Sequence, residues 1–325
     1  MSTALLRVEN LKKHFPVKLG AFGEKAATVH ALDDATFEII EGETLSLVGE
    51  SGCGKSTTGF AILNLHKPTS GQVIYKGENI AVFDEKRMRP IRRDLQIVFQ
   101  DPYSTLNPRM TVGEAVGEPI LFHGLATKAE LPRRIETLLA DVGLPARFAQ
   151  RYPHELSGGQ RQRVAIARAL ACQPKFIVCD EAISALDVSI QAQIINLLVD
   201  LQEKYGLTYL FIAHDLAVVR HISDRVGVMY LGRLAELGTR QQVFDNPLHP
   251  YTKALMSAVP EADPVKERTR QRQVLQGDVP SPLSPPAGCR FHTRCPVAMN
   301  QCRSEVPEWR DRGAGHFVAC HAVSG

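Results

Sequence analysis

Nine residues constrain this chain more than any others: Gly49-Glu-Ser-Gly-Cys-Gly-Lys-Ser-Thr57, set between the apolar run Thr44–Val48 and a helical pattern that opens at Lys55. The spacing is G-x4-G-K-[ST], and it is flanked by the strand and helix its chemistry requires. Glycines let the backbone wrap a polyphosphate, while successive N–H groups and the helix N-terminus point at the anion. Lys55 can reach the β- and γ-phosphates, and the Ser56 hydroxyl can ligate Mg²⁺. A chain with such a loop is expected to fold as an α/β domain around a largely parallel sheet.

The rest of the pattern agrees. Strands are expected at Leu5–Asn10, Ala35–Ile40, Thr44–Val48, Gln72–Tyr75, Leu95–Phe99, Lys175–Cys179, Thr208–Ala213 and Arg225–Tyr230. Several are continuous apolar runs, as strands buried on both faces should be. Helices are expected at Lys55–Leu65, Val112–Leu121, Arg133–Val142, Gln160–Ala171 and Ser189–Tyr205, the last closed by Gly206. A large helical insertion falls between about Asp101 and Tyr152. After Pro260 the texture changes to a charged run, then a Pro-rich stretch that reads as a stiff connector, then cysteines. This divides the chain into residues 1–259, with a helical subdomain at about 101–155, and a C-terminal linker and lobe at 260–325.

A second acidic strand, Lys175-Phe-Ile-Val-Cys-Asp180-Glu181, delivers Asp180 to the C-terminal edge of the sheet, where open α/β sheets bind ligands. Asp180 there can hold Mg²⁺ through water, and Glu181 is suited to polarise an attacking water. Between the two motifs lies Leu156-Ser157-Gly158-Gly159-Gln160, small residues at the start of a helix and hence a second anion site.

Two phosphate-binding loops in one chain are the pattern of ABC-transporter ATPases, which the sequence resembles over about residues 4–258. The resemblance implies a P-loop ABC ATPase fold with a mixed sheet, a helical subdomain and a small Cys-rich C-terminal lobe. It makes Gly49, Glu50, Ser51, Gly52, Cys53, Gly54, Lys55, Ser56 and Thr57 the Walker A loop that binds ATP. Phe15 would stack on adenine, Gln100 would be the Q-loop residue near ATP and Mg²⁺, and Ser56 and Asp180 would complete the Mg²⁺ ligands. Catalysis would fall to Glu181, His214 and Lys55, with Ser184–Asp187 as the D-loop. Two cassettes would pair head to tail, so that Leu156–Gln160 contacts the ATP of the partner. Ala182 replaces the proline usual after the Walker B glutamate.

Further stretches narrow the resemblance. Gln100–Pro108, Val243–Leu255 and Gly277–Cys289 are similar to segments of the ATP-binding subunits of peptide and nickel importers, dipeptide importers most closely. That implies ATP hydrolysis coupled to peptide uptake, a sister ATPase, two inner-membrane permeases, an indirect periplasmic binding protein, and a peripheral place on the cytoplasmic face of the membrane. Nickel, oligopeptide or glutathione cargo is the alternative within transport. A soluble ABC ATPase of translation or DNA repair is the alternative outside it, and the single cassette without a long heptad array argues against that. A net charge of +3 without a basic block gives no sign of nucleic-acid binding. No run approaches 18 apolar residues and no signal-peptide h-region opens the chain, so neither a span nor export is expected.

Of seven cysteines, Cys289, Cys295, Cys302 and Cys320 crowd into the last 37 residues. Four thiolates can hold a [4Fe–4S] cluster or Zn²⁺, or remain free thiols. Their x5 and x6 gaps exceed the usual zinc spacing, and the family resemblance also implies an iron–sulfur cluster. His292, His316 and His321 read as surface histidines, Cys172 and Cys179 as small buried hydrophobes, and Cys53 as filling a variable loop position without chemistry of its own.

Overall fold

A computed structural model describes residues 4–19, 25–259 and 273–323. Most of the charged connector after Pro260 lies outside the described residues. The chain opens with β1 (Ala4–Leu19), β2 (Lys25–Ile40), β3 (Thr44–Val48), α1 (Lys55–Ile62), β4 (Ser70–Tyr75) and β5 (Glu78–Asn79). Its middle holds α2 (Glu85–Asp94), β6 (Leu95–Val98), α3 (Pro102–Thr105), α4 (Val112–Phe122), α5 (Leu131–Asp141), α6 (Gly158–Leu170), β7 (Phe176–Asp180), α7 (Val188–Tyr205) and β8 (Thr208–Ile212). It continues with α8 (Leu216–Ile222), β9 (Arg225–Tyr230), β10 (Arg233–Thr239), α9 (Arg240–Asp245) and α10 (Pro250–Ser257), and ends in short β11 (Arg310–Asp311) and β12 (Phe317–Val318).

Two compact units result. The first takes the described parts of Met1–Ile39, Thr44–Val82 and His214–Gly325. In it β1 runs antiparallel to β4, with Leu6 opposite Tyr75 and Val8 opposite Val73. All four side chains are buried while the residues between them are not, the alternation of a sheet with one face on a core. Alongside, β3 is parallel to β9, and β9, β10, β12 and β11 follow antiparallel. The tail residues 273–323 belong to this unit, where β12 pairs with β10 and Pro282 accepts a bond from the His30 N–H.

The second unit, Ile40–Glu43 with Phe83–Ala213, holds the parallel strands β6, β7 and β8 and the helical subdomain. Every residue of β7 and β8 is buried, as their uninterrupted apolar sequences require. Two helix starts are written locally. Thr111 with Glu114, and Ser157 with Gln160, form capping boxes, in which the hydroxyl accepts the N–H three residues on and that residue's side chain accepts the N–H of the cap itself, at the starts of α4 and α6. Among the described residues no helix is long and apolar enough to cross a membrane.

One buried polar knot makes the first unit sensitive to acid. The Glu236 carboxylate, fully buried in β10, accepts the N–H groups of Leu248 and His249 and faces His316 Nε2 at 2.7 Å. His249 caps α10, its Nδ1 accepting the Tyr251 N–H at 3.0 Å. Burial pushes its pKa down to about 4, against the partial opposition of Glu236. The unfolded chain therefore protonates first as pH falls. Stability contributed by the neutral ring is complete above about pH 6.5 and lost as pH drops through about 4, up to about 3 kcal/mol. Urea midpoints from pH 7 to 4 should fall more steeply for the wild type than for His249→Asn, which keeps a capping acceptor but cannot titrate. Equal slopes would refute this.

Candidate functional site

The phosphate loop leaves fully buried β3 and enters α1, as its sequence requires. Gly49 has φ +150, and a Cβ there would stand 2.2 Å from the Met229 carbonyl oxygen. At Gly54, with φ +103, a Cβ would come equally close to the Ala31 carbonyl oxygen at 2.2 Å. Only glycine fits either place. Gly54 caps α1 without a side-chain hydrogen bond, and the start of a helix of this kind presents N–H groups to an anion. Lys55 is buried, and its Nζ donates to the carbonyls of Gly49 at 2.8 Å and Glu50 at 3.1 Å. Phe15 stands half-buried in β1, edge-on to His66, with the Lys13 ammonium over its ring. His214, exposed, precedes the N-cap Asp215 of α8 in this same unit.

The second unit carries the remaining motif residues. Asp180 is buried at the end of β7. Glu181 follows with φ +46, a left-handed conformation uncommon outside glycine and typical of functional turns. Its N–H donates to the Ile212 carbonyl, and its own carbonyl accepts the Ser184 N–H and hydroxyl. Ala182 is buried in this turn, which these bonds close without a proline. The Gln191 side chain donates to the carbonyls of Ile183 and Leu186 and braces the segment up to Asp187, the N-cap of α7. Ser157 and Gly158 lie exposed at the start of α6 above buried Leu156. A Cβ on Gly159 would meet the Ile190 side chain at 2.6 Å. Gln160 is committed to the Ser157 N–H at 3.0 Å. Gln100 is exposed just before Asp101, the N-cap of α3. Hydroxyl, amide and carboxylate oxygens from Ser56, Gln100 and Asp180 are hard donors of the kind Mg²⁺ takes.

The cysteine reading requires correction. Among the described residues, the one group of three or more His, Cys, Asp or Glu ligand atoms within 4.8 Å of one another is His14, His30 and Asp33. No three of Cys289, Cys295, Cys302 and Cys320 converge in this way, and all four are free. Burial raises the thiol of Cys289 to about 11, and those of Cys295 and Cys320 shift in the same direction. The expectation of a [4Fe–4S] cluster or Zn²⁺ is thereby overturned. His316 is also not a surface residue but is buried against Glu236. The His14–His30–Asp33 group is a poor cation site. Asp33 pairs with Arg290, with Arg233 at 3.3 Å and with Lys12 at 3.8 Å. Burial opposes its ionisation, but Arg290 and Arg233 outweigh that and hold its pKa low.

The cysteine motif has a different use. Gly288-Cys-Arg-Phe-His-Thr-Arg-Cys295 docks on the phosphate-loop side of the first unit. Phe291 is buried against Tyr230, Tyr251 and His249 at ring distances of 5.2, 5.4 and 5.6 Å. Arg290 donates to the Leu231 carbonyl and to Asp33, and Arg294 forks onto Glu50 of the loop at 2.7 and 3.1 Å. The Tyr251 hydroxyl accepts the Glu50 N–H at 2.9 Å. Sequence reading missed Arg290, Phe291, Arg294 and Tyr251 because the cysteines beside them claimed the motif.

The fold and these paired anion loops define an ATP-binding cassette of the ABC type, an ATP-hydrolysing translocase. Residues 32–184 match the ABC transporter family, and residues 235–302 match the oligopeptide/dipeptide transporter C-terminal region. The chain belongs to the ATP-binding subunits of peptide-type ABC importers. It is 53% identical over 321 residues to the oligopeptide transport ATP-binding protein AppF of Bacillus subtilis (strain 168), spanning 98% of each chain. With OppF of Salmonella typhimurium, also an oligopeptide transport ATP-binding protein, it shares 52% identity, over 98% of this chain and 96% of that one. Among solved structures, the dimeric post-hydrolysis cassette MJ0796 bound to ADP and Pi is similar at 35% identity and TM-score 0.63, covering 72% of this chain and 98% of the other. The cbiO1 subunit of the Clostridium perfringens cbiONQ transporter complex matches with TM-score 0.63 at 29% identity, covering 75% and 91%.

Proposed function

We propose that this chain is the ATP-hydrolysing subunit of an importer that moves short peptides across a bacterial inner membrane, working on its cytoplasmic face. One observation carries the reading: a full set of ATPase motifs and an oligopeptide/dipeptide transporter C-terminal region occur together in a chain about half identical, end to end, to oligopeptide transport ATP-binding proteins. Those names widen the cargo from dipeptides to short peptides generally.

In the mechanism we infer, the loop amides and Lys55 hold the β- and γ-phosphates, and Phe15 stacks on adenine. Mg²⁺, held by Ser56, Gln100 and Asp180, would supply charge neutralisation at the phosphates. Glu181 accepts a proton from the attacking water, His214 contacts the γ-phosphate, and Asp187 faces the partner cassette. A sister cassette presents its own signature loop, while Leu156–Gln160 of this chain serve the sister's ATP. Closure excludes water, and the fixed N–H groups stabilise the charge that builds on the transferred phosphoryl group. The dimeric state of the similar cassettes supports this pairing. Two permeases and a periplasmic binding protein complete the transporter. Residues 1–259 serve as the ATPase domain and 260–325 as an appended, cysteine-rich C-terminal lobe, of which residues 288–295 dock beside the phosphate loop.

The test is uptake by a deletion strain of the host, complemented with the wild-type chain, using labelled dipeptide, a longer peptide and Ni²⁺. Peptide uptake should disappear on deletion and return with the gene, and the tagged chain should co-purify with two permeases and a second ATPase. Loss of Ni²⁺ uptake with peptide uptake intact would sink the proposal.

A further inference from the structure

A phosphate loop that binds a tetra-anion carries an acid, Glu50, as its second residue. Left alone, that carboxylate would repel the ligand the loop exists to hold. The structure places one cation on it. The two terminal nitrogens of Arg294 meet the two oxygens of Glu50 at 2.7 and 3.1 Å, a bidentate pair across 244 residues of sequence. The Arg294 side chain is only 7% exposed, held under the Tyr230 ring, and Phe291 three residues earlier anchors the same turn. Glu50 is gripped on its main chain as well. Its N–H goes to the Tyr251 hydroxyl, and its carbonyl receives Lys55, the residue that reaches for phosphate. Phe291 packs against the same Tyr251, so the tail turn touches the loop through the side chain of Glu50 and, by way of Tyr251, through its backbone.

We propose that Arg294 is a positioning residue of the ATP site: its guanidinium neutralises Glu50 and fixes the loop, so that docking of the C-terminal segment sets the affinity of the cassette for MgATP. This rests on the reading of Gly49–Thr57 as the ATP phosphate loop. A charge-assisted fork of this kind is strong and directional, and a lysine or neutral side chain does not reproduce it. Without Arg294, the Glu50 carboxylate is left uncompensated within the phosphate loop, and the loop loses its side-chain tether.

The experiment is calorimetric titration of the full-length chain with MgATP. Arg294→Ala is expected to weaken binding about tenfold, an effect on the scale of one charged hydrogen-bonded pair, and to weaken it less at high salt. Glu50→Gln placed in the Arg294→Ala background should restore affinity to within about threefold of wild type. That rescue separates charge neutralisation from a merely structural role, because removing a second partner cannot repair a misfolded lobe. Unchanged affinity in Arg294→Ala, or a loss that Glu50→Gln does not rescue, overturns the inference. If the alanine variant does not fold, Arg294→Gln keeps part of the stem and a hydrogen-bonding amide while losing the charge and the fork, and the same loss and rescue are expected of it. Lys55→Met serves as the control on the underlying reading. If it binds MgATP like wild type, the loop is not the phosphate site. If it loses MgATP while Arg294→Ala does not, the assignment of Arg294 alone fails.

Discussion

Glu181→Gln is expected to leave MgATP binding intact, to cut steady-state hydrolysis by about 10²–10³-fold, and to accumulate ATP-bound dimers with the partner cassette. The reason lies in how the residue is held. Its backbone is locked in a left-handed turn by bonds to Ile212 and Ser184, so the side chain leaves the end of β7 in one direction. Glutamine preserves that shape and can still orient a water. It cannot take the proton that the water sheds, so only the step needing a base should fail. Single-turnover hydrolysis and size-exclusion chromatography in the presence of ATP measure both consequences. Wild-type turnover in the variant would remove Glu181 from the catalytic role, and weakened ATP binding would show that the turn had been disturbed instead.

The parts of this molecule that could be read from sequence are those whose signal is local. Thr44–Val48, Phe176–Asp180 and Thr208–Ile212 are short apolar runs, and each is a wholly buried strand. The helix at Gly158 is announced by Ser157 and Gln160, which cap it reciprocally within four residues. Strand β10 was not expected, because a glutamate interrupts its apolar pattern; that glutamate is buried by partners at His316 and His249, which no local window includes. Helix α2 was missed for the opposite reason. Its sequence is dominated by charge and interrupted by Pro90, and it buries only Met88, so nothing in it reads as a core-facing helix. The site divides along the same line. Loop glycines, Lys55, Asp180 and Glu181 are legible because their spacing is local. Arg294 and Tyr251 act on Glu50 from 244 and 201 residues away. The tail misled for a related reason: spacing suggested a metal centre, whereas the intervening arginines and phenylalanine make the contacts.

Lys55→Met should remove nucleotide binding while sparing the fold, and the distinction shows what this buried lysine is for. Its stem packs in the loop and its ammonium rests on the carbonyls of Gly49 and Glu50 at 2.8 and 3.1 Å. Methionine replaces the stem but offers neither charge nor donor. Charged hydrogen bonds contribute about 1.5–3 kcal/mol each, so losing two to phosphate oxygens should weaken MgATP by about 10²–10⁴-fold. The two carbonyls also lose a donor, Gly49's in a buried position and Glu50's in a partly buried one, and burying a methionine in place of an ammonium offsets part of that loss. Melting temperature without nucleotide is therefore expected to stay near that of wild type. With MgATP at about a hundred times the wild-type Kd, the wild-type chain should gain about 2.7 kcal/mol of stability from binding alone, and Lys55→Met almost none. A variant that melts early in both conditions would mean the lysine holds the loop together rather than the phosphate. A variant that still gains the full shift would mean that the phosphates of MgATP do not bind at this loop.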